Sequence, residues 1–258
     1  MDIEALKEKI RSDIGRKIIF FEEVSSTNTV ASHLTETAVE GTVFLAESQE
    51  KGRGRLGRLW ISPPGVNIHM SILLRPRIKQ SKATLLTIMA AVACATALRG
   101  ITGLDVLIKW PNDLMLSNRK LGGILTEIKT ASGEVTVAII GIGLNVNIRL
   151  DAFSEDVKKT ATSLRNETGR VYSREEIIAG VLNEMNKWYA HLNAGDGDLL
   201  LSEWKRLDST LGKQMKVSVG KESFTGYAES VDGEGRLLLR LPSGELKSIS
   251  SGELTELP

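Results

Sequence analysis

The segment Lys51–Arg58, KGRGRLGR, places four cations and three glycines in eight positions and contains no acid. Its glycines fit the G-x-G-x-x-G fingerprint of dinucleotide-binding folds, in which the loop opens a helix. Here Pro63 and Pro64 follow shortly after Gly57, and proline is excluded from a helix interior. The acidic residue expected ~20 positions later is also missing, since that neighbourhood reads Leu74–Arg77. The segment therefore argues against a Rossmann oxidoreductase, and it lacks the P-loop pattern as well.

A nucleic-acid surface is the second interpretation of this segment. The whole chain carries a formal net charge of only +1, and Trp60 is the one aromatic residue beside the basic segment, whereas such surfaces are broadly basic with interleaved aromatics. The residues ahead of the first predicted strand at Lys17 are too few for an added helix-turn-helix domain. We therefore expect no DNA partner.

A loop that folds over a small anionic ligand is the third interpretation. Glycines let the backbone approach a ligand closely, and arginines supply planar, bidentate donors for phosphate or carboxylate. So many glycines and cations disfavour order without a ligand, which is typical of a lid. A solvated basic hairpin remains an alternative for this segment considered alone.

Length and composition limit the number of domains, the disulfides and the cellular location that we expect. Its 258 residues allow one or two domains, and the single cysteine, Cys94, cannot form an intramolecular disulfide. Cys94 lies in the apolar run Leu85–Leu98 and is expected to be a small core residue. We find no segment of the ~18–20 apolar residues that a membrane span needs and no signal peptide, so we expect no membrane partner and cytoplasmic residence.

Hydrophobic periodicity predicts helices interspersed with strands up to about Leu211, where the sequence pattern changes. Helices are predicted at 2–11, Thr29–Ala38, Ser81–Gly100, Ser173–Leu192 and Asp198–Leu207. Strands are predicted at Lys17–Val24, Thr42–Ser48, Val66–Leu74, Val106–Trp110, Leu114–Ser117, Lys120–Ile128 and Val135–Val146, and Leu150–Arg170 as a polar loop. From Leu211 short β-runs alternate with Gly/Asp/Ser turns, which predicts a small all-β barrel. Two domains follow, 1–210 and 211–258.

Three further segments are candidates for ligand binding, because they are rich in polar residues or in glycine. Lys109–Asp113 (KWPND) crowds a lysine, an asparagine and an aspartate into one loop, a set suited to a nucleotide and its Mg²⁺. Arg119–Glu127 and Gly141–Asn147 place glycines inside good strands, which predicts a ligand or another backbone against the sheet, with a β-bulge as the alternative. His69 lies on the polar face of Val66–Leu74 and is expected to be a satisfied structural or surface histidine.

Taken in order, these segments resemble the biotin protein ligases. The resemblance is carried by Ser26-Thr27-Asn28, by Gln49 with GRGRLGR and Trp60, by KWPNDL at 109–114, by RKLGGILTE at 119–127 and by GIGLNVN at 141–147, with a weaker match at Trp204–Asp208. It extends from about residue 17 to the C-terminus. Lys51 departs from the family pattern, where many relatives have a small residue.

The resemblance implies an α+β fold: a mixed central β-sheet with flanking helices, related to class II aminoacyl-tRNA synthetases, plus an SH3-like C-terminal barrel. It also implies ATP-dependent activation of biotin as biotinyl-5′-AMP, with Mg²⁺, and transfer of the biotinyl group to a lysine of a biotin carboxyl carrier protein. Homodimer formation stays open. The alternatives are a lipoate or octanoate ligase of the same fold and a ligand-binding adaptor without enzyme activity.

The resemblance also implies roles for individual residues. Biotin is expected to contact Ser26, Thr27, Asn28, Gln49, Gly52, Arg53, Gly54, Arg55 and Lys120. ATP is expected to contact Arg55, Arg58, Trp60, Lys109, Asn112, Asp113 and Asn145, with Trp60 as a stacking surface for adenine and Asp113 as a ligand of Mg²⁺. Lys120 and Arg55 are the expected catalytic residues.

Overall fold

The computed structural model describes residues 1–149, 151 and 153–257. Twelve strands form a seven-stranded and a five-stranded sheet. The strands are β1 (Ile18–Val24), β2 (Val43–Gln49), β3 (Ile68–Leu74), β4 (Leu107–Lys109), β5 (Asp113–Leu116), β6 (Arg119–Ala131), β7 (Glu134–Leu144), β8 (Gln214–Val219), β9 (Glu222–Val231), β10 (Leu237–Arg240), β11 (Leu246–Ile249) and β12 (Glu253–Glu256). The helices are α1 (Ile3–Lys9), α2 (Thr27–His33), α3 (Thr84–Thr102), α4 (Glu155–Lys158), α5 (Leu164–Thr168), α6 (Arg174–Ala194) and α7 (Gly197–Leu207).

The larger sheet is mixed, as the family resemblance implies. Its strand order is β1-β2-β3-β7-β6-β5-β4, with β1 and β2 parallel and the other neighbours antiparallel. Alternate residues of β3 join the main core, namely Ile68, Met70, Ile72 and Leu74, and helices α3 and α6 also contribute to that core. The opposite face is covered by α2 over only part of its area, against Phe44 and other residues of a smaller cluster. The uncovered part of that face holds the site described below.

Helix α3 forms the centre of the main core. Our expectation that no segment is long and apolar enough to span a membrane was wrong for Gln80–Thr102, which passes that test by length and composition. Here this segment is the buried core helix, with Leu86, Met89 and Cys94 fully enclosed, and burial raises the pKa of the Cys94 thiol. The predicted core position of Cys94 is confirmed.

Several helix boundaries differ from the predictions. Helix α2 ends at His33 rather than at Ala38, and two other differences have local reasons. Helix α3 does not stop at Gly100 but at Gly103, whose φ of 71° ends the helix while its N–H bonds the Arg99 carbonyl. Helix α2 begins at Thr27 rather than Thr29, because the Thr27 and Asn28 side chains bond to neighbouring strands and leave the backbone free to be helical. The predicted loop Leu150–Arg170 contains α4 and α5; Leu150 and Ala152 lie outside the described residues.

The five-stranded sheet is antiparallel in the order β11-β10-β9-β8-β12. Its connection to the larger sheet is hydrogen bonded, since Ser209 N–H donates to the Ile108 carbonyl at 2.9 Å and Trp110 N–H donates to the Thr210 hydroxyl at 2.8 Å. The buried Trp110 indole also donates to the Gly235 carbonyl at 3.0 Å. These bonds dock the second sheet beside the KWPND loop. The domain division at residue 210 stays a prediction.

The Trp110–Gly235 bond is expected to add measurable stability. Trp110→Phe should lower the free energy of unfolding by about 1–3 kcal/mol more than Trp204→Phe does, because it leaves a buried carbonyl without a donor. Trp204 is a matched control, since it is equally buried and its indole N–H has no hydrogen-bond partner among the described residues. Urea unfolding of both variants measures the difference, and equal losses would contradict the assigned role of this bond.

Candidate active site

A cavity of about 550 Å³ opens on the uncovered face of the larger sheet. Its walls are the sheet, the arginine loop (defined as Lys51–Ser62), the segment Phe153–Ala161 and the Gly252–Leu254 stretch of the second sheet. Fourteen of the fifteen residues expected at the site line this cavity. They are Ser26, Thr27, Asn28, Gln49, Arg53, Gly54, Arg55, Arg58, Trp60, Lys109, Asn112, Asp113, Lys120 and Asn145.

Gly52 is the predicted site residue that does not line the cavity. Its carbonyl accepts the Trp60 N–H at 2.8 Å, and a Cβ at this position would lie 2.3 Å from the Trp60 carbonyl oxygen and 2.8 Å from Ser62 Oγ. The glycine therefore allows the two ends of the arginine loop to approach each other. A side chain here would separate them.

Positive charge dominates the lining of the cavity. The acidic side chains in its wall are Asp113 and Glu253, and the cationic ones are Arg53, Arg55, Arg58, Lys109, Lys120 and Lys159. Burial lowers the pKa values of Arg55 and Lys109, and the charge of Asp113 offsets part of that effect at both. Cations concentrated in a partly desolvated cavity favour a polyanionic ligand far more than the net charge of +1 suggests.

Lys120 stands at the start of β6 with its backbone fixed on both sides. Its N–H donates to the Thr160 carbonyl at 2.7 Å, and its own carbonyl accepts the Thr162 N–H at 2.9 Å. The Lys120 ammonium contacts Asp113 Oδ1 at 2.6 Å and lies 5.9 Å from the centroid of the Trp60 ring. The lysine thus stands between the KWPND loop and the arginine loop.

The arginine loop is tied to both sheets. Arg55 donates to Asn112 Oδ1 at 2.6 Å, which places its guanidinium at the KWPND loop. Arg58 pairs with Glu253 of β12 at 2.5 Å, and this contact brings the second sheet to the cavity rim. Glu253 and the Phe153–Ala161 segment were missed by the sequence analysis, because no local pattern distinguishes them from a solvated turn and a polar loop.

The other end of the cavity is neutral and polar. Thr27 N–H donates to Gln49 Oε1 at 2.9 Å, and Gln49 Nε2 donates to Ser62 Oγ at the same distance. The side chain of Asn28 is buried against Gly141, and Ser71 donates to its Oδ1. Uncharged donors and acceptors that are already oriented suit the polar ring of a neutral ligand.

Glycines in β7 line the cavity and also make room for side chains that lie on the sheet, and the expectation of a ligand against these strands stays a prediction. A Cβ at Gly141 would lie 2.2 Å from Asn28 Oδ1, and one at Gly143 would lie 2.5 Å from Trp60 Cε2. Trp60 therefore lies flat on the sheet beside Lys120. Its indole N–H is buried and has no hydrogen-bond partner in the described part of the chain.

His69 departs from the expected satisfied or surface histidine. It is 1 % exposed, lines the cavity, and neither ring nitrogen has a hydrogen bond of good geometry to the described residues. Burial lowers the pKa of its imidazole to about 4, and the nearby Pro63 carbonyl, which favours the protonated ring, offsets only part of the effect. The histidine is therefore neutral at pH 7.

The buried neutral His69 predicts a specific pH dependence of stability. Its folded pKa of about 4 lies below the usual value of 6.5, so the unfolded chain binds the proton first as pH falls. This contribution to stability is present above about pH 6.5 and is lost as pH falls towards 4, by about 2 kcal/mol between pH 7 and pH 5. Urea unfolding of wild type and His69→Phe at both pH values checks it; the same pH dependence in both proteins would refute it.

One carboxylate of the cavity, that of Asp113, is placed to share in binding a metal ion. Among residues 1–149, 151 and 153–257, no three His, Cys, Asp or Glu side chains form a metal-binding group. Asp113 is the carboxylate nearest Lys120, and Asn145 uses its side chain within the protein, donating to the Thr162 carbonyl at 3.0 Å. A cation held mainly by phosphate oxygens needs only one or two protein carboxylates, so Asp113 fits that kind of site.

Comparisons with known proteins match both sheets. Residues 20–145 match the biotin/lipoate A/B protein ligase family, and residues 210–254 match the biotin protein ligase C-terminal domain. A bifunctional ligase/repressor BirA of Bacillus spizizenii is 36% identical over 242 residues, covering 93% of this chain and 74% of that protein. The biotin–[acetyl-CoA-carboxylase] ligase of Paracoccus denitrificans is 32% identical, covering 85% of this chain and 92% of that protein.

A solved structure agrees with these matches. The biotin protein ligase from Aquifex aeolicus in complex with biotin and ATP superimposes with a TM-score of 0.79 at 30% identity, covering 94% of this chain and 99% of that one. The biotin protein ligases are thus favoured over the lipoate ligases, and the predicted α+β fold with a C-terminal β domain is confirmed. This chain belongs to the biotin protein ligase family.

Proposed function

We propose that the cavity carries out both steps of ATP-dependent biotinylation. The observation that carries this proposal is the position of Lys120, which contacts Asp113 of the KWPND loop and faces Trp60 of the arginine loop. The neutral end at Thr27 and Gln49 suits the ureido ring of biotin, and the cationic end suits a triphosphate. Lys120 stands where the biotin carboxylate and the α-phosphate would meet.

In the first step, a carboxylate oxygen of biotin attacks the α-phosphorus of ATP. The new P–O bond gives biotinyl-5′-AMP, and the bond to the β-phosphate breaks to release pyrophosphate. Both reactants are anionic, so their approach requires neutralisation, which Lys120, Arg55 and Lys109 supply from fixed positions. In the second step, a neutral lysine amine of the acceptor attacks the acyl carbon, AMP leaves, and the amine loses its proton as the amide forms.

Mg²⁺ belongs to this proposal as a partner of the triphosphate. Asp113 is the residue that would hold it, and the ion would neutralise phosphate charge during the first step. Asp113 contacts Lys120 at 2.6 Å, so an ion at this position would compete with that contact and release the lysine towards the ligands. The proposed acceptor is a biotin carboxyl carrier domain. The Paracoccus denitrificans relative, named as a biotin–[acetyl-CoA-carboxylase] ligase, supports this choice.

Self-association is proposed at the outer edge of β6. Beyond Gly123, β6 pairs with β7 on one side only among the described residues, and its last residues, Ile128–Ala131, are exposed. An unpaired strand edge is a template for adding another strand, which supports a homodimer in which two such edges meet. The absence of DNA and membrane partners and the cytoplasmic location stay predictions.

Biotin-dependent exchange of pyrophosphate into ATP tests the function. The purified protein should exchange label with biotin and Mg²⁺, and should not do so with lipoate or octanoate. Exchange with lipoate but not biotin would establish the alternative ligase. Biotin binding without exchange would favour the adaptor.

Lys120→Ala should reduce the rate of adenylate formation at least about 10²-fold while biotin affinity falls only a few-fold, because the lysine stabilises charge that develops mainly in the transition state. Single-turnover quench with labelled ATP and calorimetry with biotin measure the two quantities. Lys216→Ala, an exposed site on β8, is the control. Unchanged single-turnover adenylation would remove Lys120 from the mechanism.

A further inference from the structure

We propose that Glu127 is a positioning residue that fixes the arginine loop relative to the biotin end of the cavity. The inference rests on the function proposed above and assigns a role in it to a residue that does not line the cavity. Glu127 lies in the middle of β6, seven positions beyond Lys120 on the same strand. It belongs to the RKLGGILTE segment, in which Lys120 is the residue with an assigned role.

Glu127 uses its two carboxylate oxygens for two different segments. Oε1 accepts from Arg53 Nη2 of the arginine loop at 2.7 Å. Oε2 accepts from Asn28 Nδ2 in the first turn of α2 at 2.8 Å. One carboxylate therefore links the loop that covers the cavity to the helix that begins at its neutral end. Both bonds are assisted by the negative charge, which strengthens each relative to a neutral pair.

A chain of buried polar groups continues inward from Asn28. Asn28 is 3% exposed, and its Oδ1 accepts from Ser71 Oγ at 2.6 Å. Ser71 in turn shares a 2.7 Å hydrogen bond with the Thr27 hydroxyl, and Thr27 N–H donates to Gln49. Glu127 is thus the outer end of a network that orients Thr27 and Gln49, the residues proposed to hold the ureido ring.

Of the two contacts of Glu127, the one to the buried Asn28 contributes more to holding the network. The side chains of Arg53 and Glu127 are 48% and 34% exposed. An ion pair as open to solvent as this one contributes little to stability by itself. Asn28, in contrast, is enclosed. Losing Glu127 leaves its Nδ2 with only the Leu125 carbonyl as an acceptor, at 3.3 Å, and one of its two amide hydrogens loses its acceptor. Without Glu127, biotin would have to order the loop and the network as it binds, which weakens its affinity.

The effect should fall on biotin rather than on ATP. The nucleotide-side residues Lys109, Asn112 and Asp113 lie in the β4–β5 hairpin, and Asn112 is held separately by donating to the Ile124 carbonyl at 3.1 Å. Neither that bond nor the Lys120–Asp113 contact passes through Glu127. A general loss of folding would instead move both substrates together.

Steady-state pyrophosphate exchange of Glu127→Ala and Glu127→Gln tests the proposal. Alanine should raise the KM for biotin about tenfold, leave the KM for ATP within about twofold and change kcat little. Glutamine keeps an oxygen acceptor and should restore part of the biotin affinity. Glu134→Gln, an exposed carboxylate on the neighbouring strand β7, should match wild type. If the alanine variant does not fold, the glutamine variant carries the same comparison of the two KM values.

A double-mutant cycle with Arg53→Ala isolates the link to the loop. Because Arg53 and Glu127 act through one contact, their combined effect on biotin KM should be smaller than the product of the single effects. Independent effects, equal changes in both KM values, or no change in the Glu127 variants would overturn the positioning role. Wild-type protein is assayed in parallel, so a failure of the proposed function appears as absent biotin-dependent exchange in wild type and is distinguishable from these outcomes.

Discussion

The contacts of one half-buried lysine at the start of β6 connect the parts of the cavity wall. The Lys120 backbone is fastened to the Thr160–Thr162 segment, and its ammonium contacts Asp113. That contact spans the β5–β6 hairpin and holds a cation beside the KWPND loop before any ligand arrives. Because the backbone of Lys120 is already fixed, only its side chain has to move from Asp113 when ligands bind.

The sheet makes this arrangement possible by leaving part of one face uncovered. Helix α3 packs on the opposite face with α6 packed against it, and α2 covers only one end of the open face. On the remaining area, Gly141 and Gly143 let Asn28 and Trp60 lie directly on the strands. The arginine loop then closes the cavity from above, with Arg55 bonded to Asn112 and Arg58 to Glu253. A small cationic enclosure results within a chain that is nearly neutral overall.

Much of the fold could be predicted from sequence, because its signals are local. The residues expected at the site came instead from the family resemblance, and all of them but Gly52 line one cavity. The alternation of β3 and the start of α6 depend on residues close in sequence. Ser173, predicted as the first residue of that helix, caps it by accepting the Glu176 N–H. What the sequence could not indicate depends on contacts between distant segments. Three features each require segments far apart in the chain to meet: the burial of His69, the Arg58–Glu253 pair and the twofold use of the Glu127 carboxylate. The error at Gly100 has a different cause, since a glycine ends a helix only where the backbone adopts positive φ, as it does at Gly103.

The proposed mechanism requires one cavity to bring a carboxylate and a nucleotide α-phosphate together at Lys120. A crystal structure of this protein with biotin and a non-hydrolysable ATP analogue tests it most directly. We expect the ureido ring at Thr27 and Gln49, the phosphates between Arg55 and Lys109, and the Lys120 ammonium moved from Asp113 to the biotin carboxylate and the α-phosphate oxygens. A structure in which the two ligands bind apart, or in which Lys120 still contacts only Asp113, would contradict the account.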